Sequence, residues 1–116
     1  MTQLNCPFCA IIAGKAEAKI VYQDDLITAF WDHRPIAPVH ILLAPNEHIE
    51  SLNDIRSQHE VMLARLATAG SKVAKEHGLE QSGYRLVINT GRDGGQSVSH
   101  LHMHLMGGRR LPFHFQ

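Results

Sequence analysis

The chain has 116 residues, of which 44% are hydrophobic and 19% are charged, which is typical of one globular domain spanning residues 1–116 with a core of its own. Eleven basic and eleven acidic side chains cancel, so the charge balance argues against a nucleic-acid partner. The apolar run CPFCAIIAG has no basic residues before it, and no apolar run reaches membrane-spanning length, so we expect a cytoplasmic protein without a membrane partner.

The first part of the chain predicts a short helix and three strands. PFCAIIAG predicts the helix, with Pro7 in its first turn and Gly14 at its end. KIVYQDDLITAFWD predicts two strands around a turn at Asp24–Asp25. VHILLAP predicts a third strand, largely apolar and therefore buried, which Pro45 ends.

One long helix is predicted from about Ser57 to His77. SQHE has capping-box spacing, with Ser57 as the N-cap and Glu60 reaching back, and Gly78 stands at the position of a C-terminal cap. Four apolar residues recur at helical spacing and predict one buried stripe: Met62, Leu66, Ala69 and Val73. YRLVINT and SHLHMHLM then predict two further strands, joined by the turn GRDGGQ.

The order of these elements predicts the fold class. Strands, one long helix and then strands indicate an α+β fold, with an antiparallel five-stranded sheet covered by one long and one short helix. Five short strands leave open edges, so we expect a homodimer in which the sheet continues across a two-fold axis. YRLVINT is the predicted dimer contact.

Three histidines alternate in SHLHMHLM. Residues two apart in a strand share a face and lie about 6.6–7 Å apart, so His100, His102 and His104 are expected to line one surface while the residues between them enter the core. One such histidine alone would indicate a hydrogen-bonded, partly buried residue, whereas three in register indicate a functional site. That site is either a metal site or a nucleophilic imidazole with helpers on both sides.

The glycine-rich turn before the histidines favours the nucleophile. Positive φ angles at Gly94 and Gly95 would aim successive backbone N–H groups into a concavity that suits phosphate, and Gln96 and Ser97 would add side-chain donors. Close packing of three imidazoles disfavours their charged forms, so a neutral ring at pH 7 is expected. The pattern therefore predicts attack by an imidazole on phosphorus.

HLHMHLM resembles the His-φ-His-φ-His-φ-φ signature of the histidine triad (HIT) superfamily of nucleotide hydrolases and transferases. CPFCAII, YQDDLITAFWD, APVHILLAPNEHI, GYRLVINTGRDGGQSV and HLHMHLMGG follow in that family's order and spacing. DGGQSV and MGGR are similar to the purine nucleoside phosphoramidase branch. The resemblance implies a homodimeric hydrolase that attacks the α-phosphorus of purine nucleotide derivatives through a covalent nucleotidyl-histidine, a step that requires no metal.

The resemblance also implies roles for individual residues. His102 matches the nucleophile, His104 and His40 match the contacts to the transferring phosphate, and His100 matches the support for the nucleophile's orientation. Ser97 and Gln96 match donors near the phosphate and the leaving group. The other positions implied in nucleotide binding, which include the apolar slot for the purine and the ribose contacts, are Phe8, Ile11, Phe30, Asp32, His33, Asn89, Gly95 and Val98.

Several of these assignments have alternatives. For Phe8, Ile11 and Phe30 the alternative is simple core packing, which only an aromatic ring facing an open cleft would exclude. His33 stands where the family usually has an aliphatic residue, which would alter the base or sugar contact. The same residues would also serve a dinucleoside polyphosphate hydrolase, a nucleotide-binding regulatory module with little turnover, or a metal-binding protein that uses the triad as ligands.

CPFC indicates either a redox pair or a metal clip. A redox motif of this type normally follows a strand, for which MTQLN leaves little room, so zinc is favoured. Zinc needs four ligands, and by the family resemblance His48 and His100 complete the set begun by Cys6 and Cys9. Many phosphoramidases of this branch lack the cysteine pair and bind no zinc. Where present, a structural zinc would attach the N-terminus to the sheet.

The remaining predictions concern the tail and three other histidines. The family resemblance implies that the tail can cross the dimer and shape the partner's leaving-group pocket, a role open to Phe113 and Phe115. His59, His77 and His114 are predicted to be surface residues without a role.

Overall fold

The computed structural model describes residues 5–112 of the chain. Its strands are β1 (Ile20–Gln23), β2 (Ile27–Trp31), β3 (Val39–Pro45), β4 (Tyr84–Ile88) and β5 (Met103–Gly107), and its α-helices are α1 (Pro7–Ile12) and α2 (Glu60–Glu76). The strands form one antiparallel sheet in the order β1-β2-β3-β5-β4. The predicted α+β class is confirmed, with one long and one short helix on a five-stranded antiparallel sheet.

The central strand β3 is buried on both faces of the sheet, which explains why VHILLAP is apolar throughout. Ile41 and Leu43 belong to the core that α2 covers, whereas Leu42 and Ala44 pack in a second cluster with α1. Because side chains alternate along a strand, His40 projects from the same face as Leu42. The α1 face of the sheet therefore carries both apolar packing and a buried imidazole.

Helix α2 packs against the other face through its predicted stripe. Met62, Leu66, Ala69 and Val73 are all buried. A Cβ atom at Gly70 would lie 2.9 Å from Cε of Met103, so glycine lets the helix lie close to β5. Gly78, with φ +74°, follows the helix where its cap was predicted.

The start of α2 differs from the prediction. The helix begins at Glu60, and the three residues before it, Ser57–His59, form a separate 3-10 turn. The N–H of Arg56 donates to Nδ1 of His59 over 3.0 Å, so His59 satisfies the exposed end of this turn instead of the predicted Ser57. His59 is also only 8% exposed, so the prediction that it is a surface residue is wrong.

Two other histidines, His77 and His114, were also predicted to be surface residues. His77 is half-buried, because its Nδ1 donates to the carbonyl of Val73 over 2.9 Å and its ring packs edge-on against Trp31. His77 therefore remains a partly exposed residue, in agreement with the predicted surface position, but its ring has defined contacts. His114, Phe113 and Phe115 lie outside the described residues.

The last strand begins later than SHLHMHLM predicts. Its pairing with β3 starts at Met103, opposite Leu43, and His100 and His102 precede the strand. The N–H of Leu101 donates to the carbonyl of Ile49 over 2.7 Å, which ties this approach segment to the loop after β3. Leu101 and Met103 are both buried in the core, so the alternation of side chains holds although the strand geometry does not.

Strand β4 lies at one edge of the sheet, and the edge that it leaves open corresponds to the predicted dimer contact YRLVINT. Its residues are half-buried or exposed in the single chain. Among the described residues, neither helix has the length and apolar character needed to cross a bilayer.

Candidate active site

A backbone hydrogen bond fixes the His102 ring through one nitrogen and leaves the other, Nε2, with its lone pair. Its Nδ1 lies 2.7 Å from the carbonyl oxygen of His100, and because a carbonyl can only accept, Nδ1 carries the ring proton. The lone pair is then on Nε2. His102 is 3% exposed, and this burial lowers its pKa, so the ring is neutral at pH 7. A neutral imidazole with an unprotonated Nε2 has the form that a nucleophile needs.

Phe8 and His104 pack around the His102 ring. The ring centroid of Phe8 is 5.0 Å from that of His102 in an edge-to-face arrangement, and the centroid of His104 is 5.1 Å away. Burial, followed by repulsion from His102 and His40, lowers the pKa of His104 to about 4. The pKa values of His102 and His104 are thus lowered as expected, but the main cause is burial and not the mutual repulsion of the imidazoles.

His40 and Asp32 continue the row of polar groups beyond His104. Nε2 of His40 lies 2.9 Å from Nδ1 of His104 and 3.4 Å from Oδ2 of Asp32. His40 is 3% exposed, and burial lowers its pKa although the charge of Asp32 opposes this shift. Oδ1 of Asp32 accepts the N–H of Arg34 over 2.8 Å, which fixes the carboxylate at the end of β2.

A cavity of about 740 Å³ opens between α1, the end of β2 and the segment before β5. Its volume is in the range of sites that bind small ligands. It brings together most of the predicted catalytic and nucleotide-binding residues: Phe8, Ile11, Phe30, Asp32, His33, His40, Ser97, Val98, His102 and His104. Phe8 and Phe30 also belong to the buried α1 cluster, so the two interpretations of these rings, packing and cavity wall, apply together.

Sequence reasoning missed several residues that line the same cavity. Lys19 and Arg34 supply positive charge at its exposed rim, and Ile36 and Trp31 extend its wall. Nζ of Lys19 lies 5.7 Å from the centroid of the Trp31 ring. These residues stand at strand ends and in a loop, where no periodic pattern marks them; only their closeness in sequence to Asp32 could have drawn attention to some of them.

The glycine-rich turn does not form the predicted phosphate cradle. Gly95 has φ +81° as expected, but Gly94 does not have a positive φ, and it is a glycine because a Cβ there would lie 2.4 Å from the carbonyl oxygen of Thr90. The N–H of Gly95 donates to the carbonyl of Arg92 over 3.1 Å, and the N–H of Gln96 to that of Gly91 over 3.0 Å. These donors close the turn on itself and do not face the cavity.

The side chain of Gln96 is also engaged locally. Its Nε2 donates to the carbonyls of Glu50 (2.7 Å) and Val98 (2.9 Å), and its Oε1 accepts the N–H of Gly91 (2.9 Å). Gln96, Gly95 and Asn89 lie outside the described lining of the cavity. In this structure Gln96 braces the turn that brings Ser97 and Val98 to the cavity wall.

His100 points away from the other two triad histidines. Its Nε2 donates to the carbonyl of Pro45 over 2.8 Å, so its unprotonated Nδ1 faces Sγ of Cys6 at 3.2 Å and Sγ of Cys9 at 3.6 Å. The three rings therefore do not line one surface as expected, because the chain has not yet entered the strand at His100. The support that His100 gives to His102 comes from its backbone carbonyl.

Cys6, Cys9, His48 and His100 form a second cluster, in which the four ligand atoms lie within 4.8 Å of one another. Nδ1 of His48 is 3.4 Å from Sγ of Cys9. Tetrahedral zinc with bonds of about 2.0–2.3 Å separates its ligands by about 3.3–3.8 Å, which is close to these spacings. The Pro45 carbonyl fixes the ring of His100 in the way that outer partners of ligating histidines do. The residues fit zinc.

Comparison with known proteins agrees with this arrangement. The family model of the HIT domain matches residues 13–111. A purine nucleoside phosphoramidase of Escherichia coli (strain K12) is 51% identical over 104 residues, which are 90% of this chain and 87% of that protein. A HIT family hydrolase from Legionella pneumophila Philadelphia 1 has a crystal structure that superposes with a TM-score of 0.91 at 43% identity, covering 94% of this chain and 97% of that one.

The chain belongs to the HIT domain family, as the histidine pattern predicted. It is a hydrolase of that family, similar to the purine nucleoside phosphoramidases. A Zn-bound histidine triad family protein from Mycobacterium smegmatis is a further structural relative, with a TM-score of 0.80 and 33% identity, covering 95% of this chain and 81% of that one.

Proposed function

We propose that this enzyme hydrolyses phosphoramidates of purine nucleoside monophosphates through a nucleotidyl-His102 intermediate. The observation that carries the proposal is the hydrogen bond from Nδ1 of His102 to the carbonyl of His100, because it leaves the lone pair on Nε2 in a ring that lines the cavity. The name of the Escherichia coli relative supports the substrate class.

The chemistry follows as two substitutions at phosphorus. Nε2 of His102 attacks the α-phosphorus, a P–Nε2 bond forms, and the P–N bond to the leaving amine breaks as the amine takes up one proton from solvent. Water then adds its hydroxyl to phosphorus, returns a proton to solvent and releases the nucleoside monophosphate. Dividing one difficult substitution into two easier ones is the advantage of a covalent intermediate.

The cavity offers a place for each part of a purine nucleotide. Phe8, Ile11 and Phe30 would hold the purine between apolar surfaces, and His33 would contact the base or the sugar. Asp32 would accept hydrogen bonds from the ribose hydroxyls, since a carboxylate is an acceptor only.

The phosphate would lie over the histidine row. His104, Ser97 and Val98 line the cavity together with two positive side chains, Lys19 and Arg34, and two carboxylates, Glu17 and Asp32. These four charges cancel, so the support for a phosphate here is the row of histidines and not the net charge of the rim. Gln96, Gly95 and Asn89 would act by shaping the adjoining turn, because they lie outside the described lining. Donors that are already in place before the reaction, such as those of His104 and Ser97, would stabilise the charge that develops on the phosphorus-bound oxygens.

We also propose that Cys6, Cys9, His48 and His100 hold a structural zinc. When bound, the ion would cross-link the start of α1 to the segment after β3 and the segment before β5. Because Phe8 and Ile11 are on α1, this cross-link would hold the apolar wall of the nucleotide site in place. A homodimer formed through the open edge of β4 completes the proposed assembly.

Steady-state kinetics on two substrate classes tests the reaction type. We expect the wild-type enzyme to hydrolyse an adenosine or guanosine monophosphate amide faster than a diadenosine polyphosphate, and His102→Ala to abolish turnover while keeping the fold. His77→Asn, which changes a histidine outside the cavity, is the matched control and should retain activity. Faster turnover of the polyphosphate would indicate the alternative hydrolase, and tight binding without turnover of any substrate would indicate a regulatory module.

A further inference from the structure

The protonation of His40 is determined by a backbone group. The N–H of Ile36 donates to Nδ1 of His40 over 3.1 Å. An amide N–H cannot accept, so Nδ1 of His40 bears the lone pair, and the single proton of the neutral ring is on Nε2. Both groups near that nitrogen are able to accept it: Nδ1 of His104 at 2.9 Å and Oδ2 of Asp32 at 3.4 Å.

The tautomer of His40 in turn determines the tautomer of His104. Because His40 donates from Nε2 over the shorter distance, Nδ1 of His104 is the acceptor and the proton of His104 is on Nε2. The opposite direction would require a proton on Nδ1 of His40, where it would face the N–H of Ile36 in a residue that is only 3% exposed. Two donors facing each other in a buried place are disfavoured.

We propose that the backbone N–H of Ile36, acting through His40, fixes His104 as the tautomer that carries its proton on Nε2. His104 then donates a hydrogen bond into the cavity as a neutral ring, while His102, whose proton is on Nδ1, presents a lone pair. The two neighbouring imidazoles thus have opposite tautomers and opposite tasks, one donating to the transferring phosphate and one attacking phosphorus.

This assignment makes His40 a positioning residue, which acts through His104 instead of contacting the phosphate itself. It also decides between two uses of one cluster. Asp32, His40 and His104 place three potential metal-ligand atoms within 4.8 Å of one another, a set that can hold a transition metal. A cation there would need the lone pair of His40 Nε2, but that nitrogen carries the proton, so the cluster is a chain of hydrogen bonds.

The tautomers can be observed directly in the wild-type protein. In the protein labelled with ¹⁵N, long-range ¹H–¹⁵N correlation spectra at pH 7 distinguish protonated from unprotonated ring nitrogens. We expect protons on Nε2 of His40, Nε2 of His104 and Nδ1 of His102. A proton on Nδ1 of His104 or of His40 would overturn the proposal, and this result requires no variant to fold.

Ile36→Pro removes the N–H that begins the chain, and Ile36→Ala is the matched control that keeps it. Ile36 is 67% exposed, so neither variant removes a core side chain. Because Ile36 also lines the cavity, the kcat of Ile36→Pro is compared with that of Ile36→Ala, which has lost the same side chain. With proline, His40 and His104 should each show a second tautomer, and kcat should fall by about twofold or more, because activity follows the fraction of molecules in the competent form. With alanine the tautomers should remain those of the wild type. Unchanged tautomers in Ile36→Pro, in a protein that keeps its fold, would overturn the role of this N–H.

His40 supplies the kinetic arm of the test. His40→Leu leaves His104 free to take either tautomer and should lower kcat more than it raises KM, whereas His40→Gln should restore part of kcat because its amide N–H₂ can donate to His104. Equal kcat values for the leucine and glutamine variants would contradict this relay from the Ile36 N–H through His40 to His104.

The role of the His104 proton in catalysis rests on the proposed function. If the wild-type enzyme turned over no nucleotide substrate but showed the expected tautomers, the proposed function alone would fail; turnover with reversed tautomers would refute the relay alone.

Discussion

Replacement of Gln96 separates bracing of the turn from direct contact with the substrate. Gln96→Ala removes three hydrogen bonds, two donated to the carbonyls of Glu50 and Val98 and one accepted from the N–H of Gly91. At a half-buried position each is worth about 0.5 kcal/mol, so the free energy of unfolding should fall by about 1.5 kcal/mol. With an unfolding entropy of about 2.1 cal/mol/K per residue, this loss corresponds to a decrease in Tm of about 6 °C.

Urea or thermal unfolding measures the stability of this variant, and kcat/KM is measured on the same preparation. Gln96→Glu is the informative companion, because a carboxylate keeps an acceptor for Gly91 but loses both donors. We expect both variants to lose stability and activity together, as the turn that carries Ser97 and Val98 loosens. A loss of turnover with unchanged Tm would refute this account and indicate that Gln96 contacts the phosphate directly.

Three other perturbations have defined outcomes. Chelation should lower Tm, and readdition of zinc at about 100 times its Kd should restore about 2.7 kcal/mol of stability. The Cys9→Ser variant should show no response to zinc. Equal responses of the wild type and Cys9→Ser would argue against a zinc site at this cysteine–histidine cluster. The pKa of His104 is lowered to about 4 in the folded state, so the unfolded state binds more protons between about pH 4 and 6.5, and stability should rise with pH across this range. Burial lowers the pKa values of His40, His100 and His102 too, so His104→Asn should reduce the slope of that rise without abolishing it in a pH series of urea unfolding curves. An identical slope would contradict the assignment. Gly94→Ala should destabilise the protein by about 1–3 kcal/mol, because its Cβ would lie 2.4 Å from the carbonyl oxygen of Thr90. Gly14→Ala should be milder, since its Cβ meets nothing within 4 Å and only the strain of φ +76° remains. Similar losses of Tm in the two variants would show that steric contact is not the cause.

The fold was largely predictable because its strands and its long helix have clear periodic patterns. The apolar stripe on α2 arises because this helix packs against the sheet with one side only. The continuous apolar run of β3 arises because this strand is buried on both faces of the sheet. The start of α2 was missed because SQHE satisfies the capping-box pattern in sequence, while in the structure His59 accepts the N–H of Arg56. Local patterns cannot decide between two competing side-chain caps.

The residues of the site were easier to predict than their orientations. The triplet of histidines identified His102 and His104, but nothing in the alternation indicates that His100 turns its ring toward the cysteines, because that depends on where pairing with β3 begins. The glycine pattern suggested a cradle of N–H groups, whereas the turn uses those donors internally. The part played by Ile36 had no signal in the sequence, since it depends on a backbone N–H that every residue except proline has.

Trapping of the covalent intermediate tests the central claim most directly. The enzyme is mixed with a purine nucleoside phosphoramidate, quenched within a single turnover and digested for mass spectrometry. The account predicts a nucleoside monophosphate adduct on His102, and no adduct at that position in His102→Ala. An adduct on another histidine, or burst-free turnover by the His102→Ala variant at the wild-type rate, would contradict it.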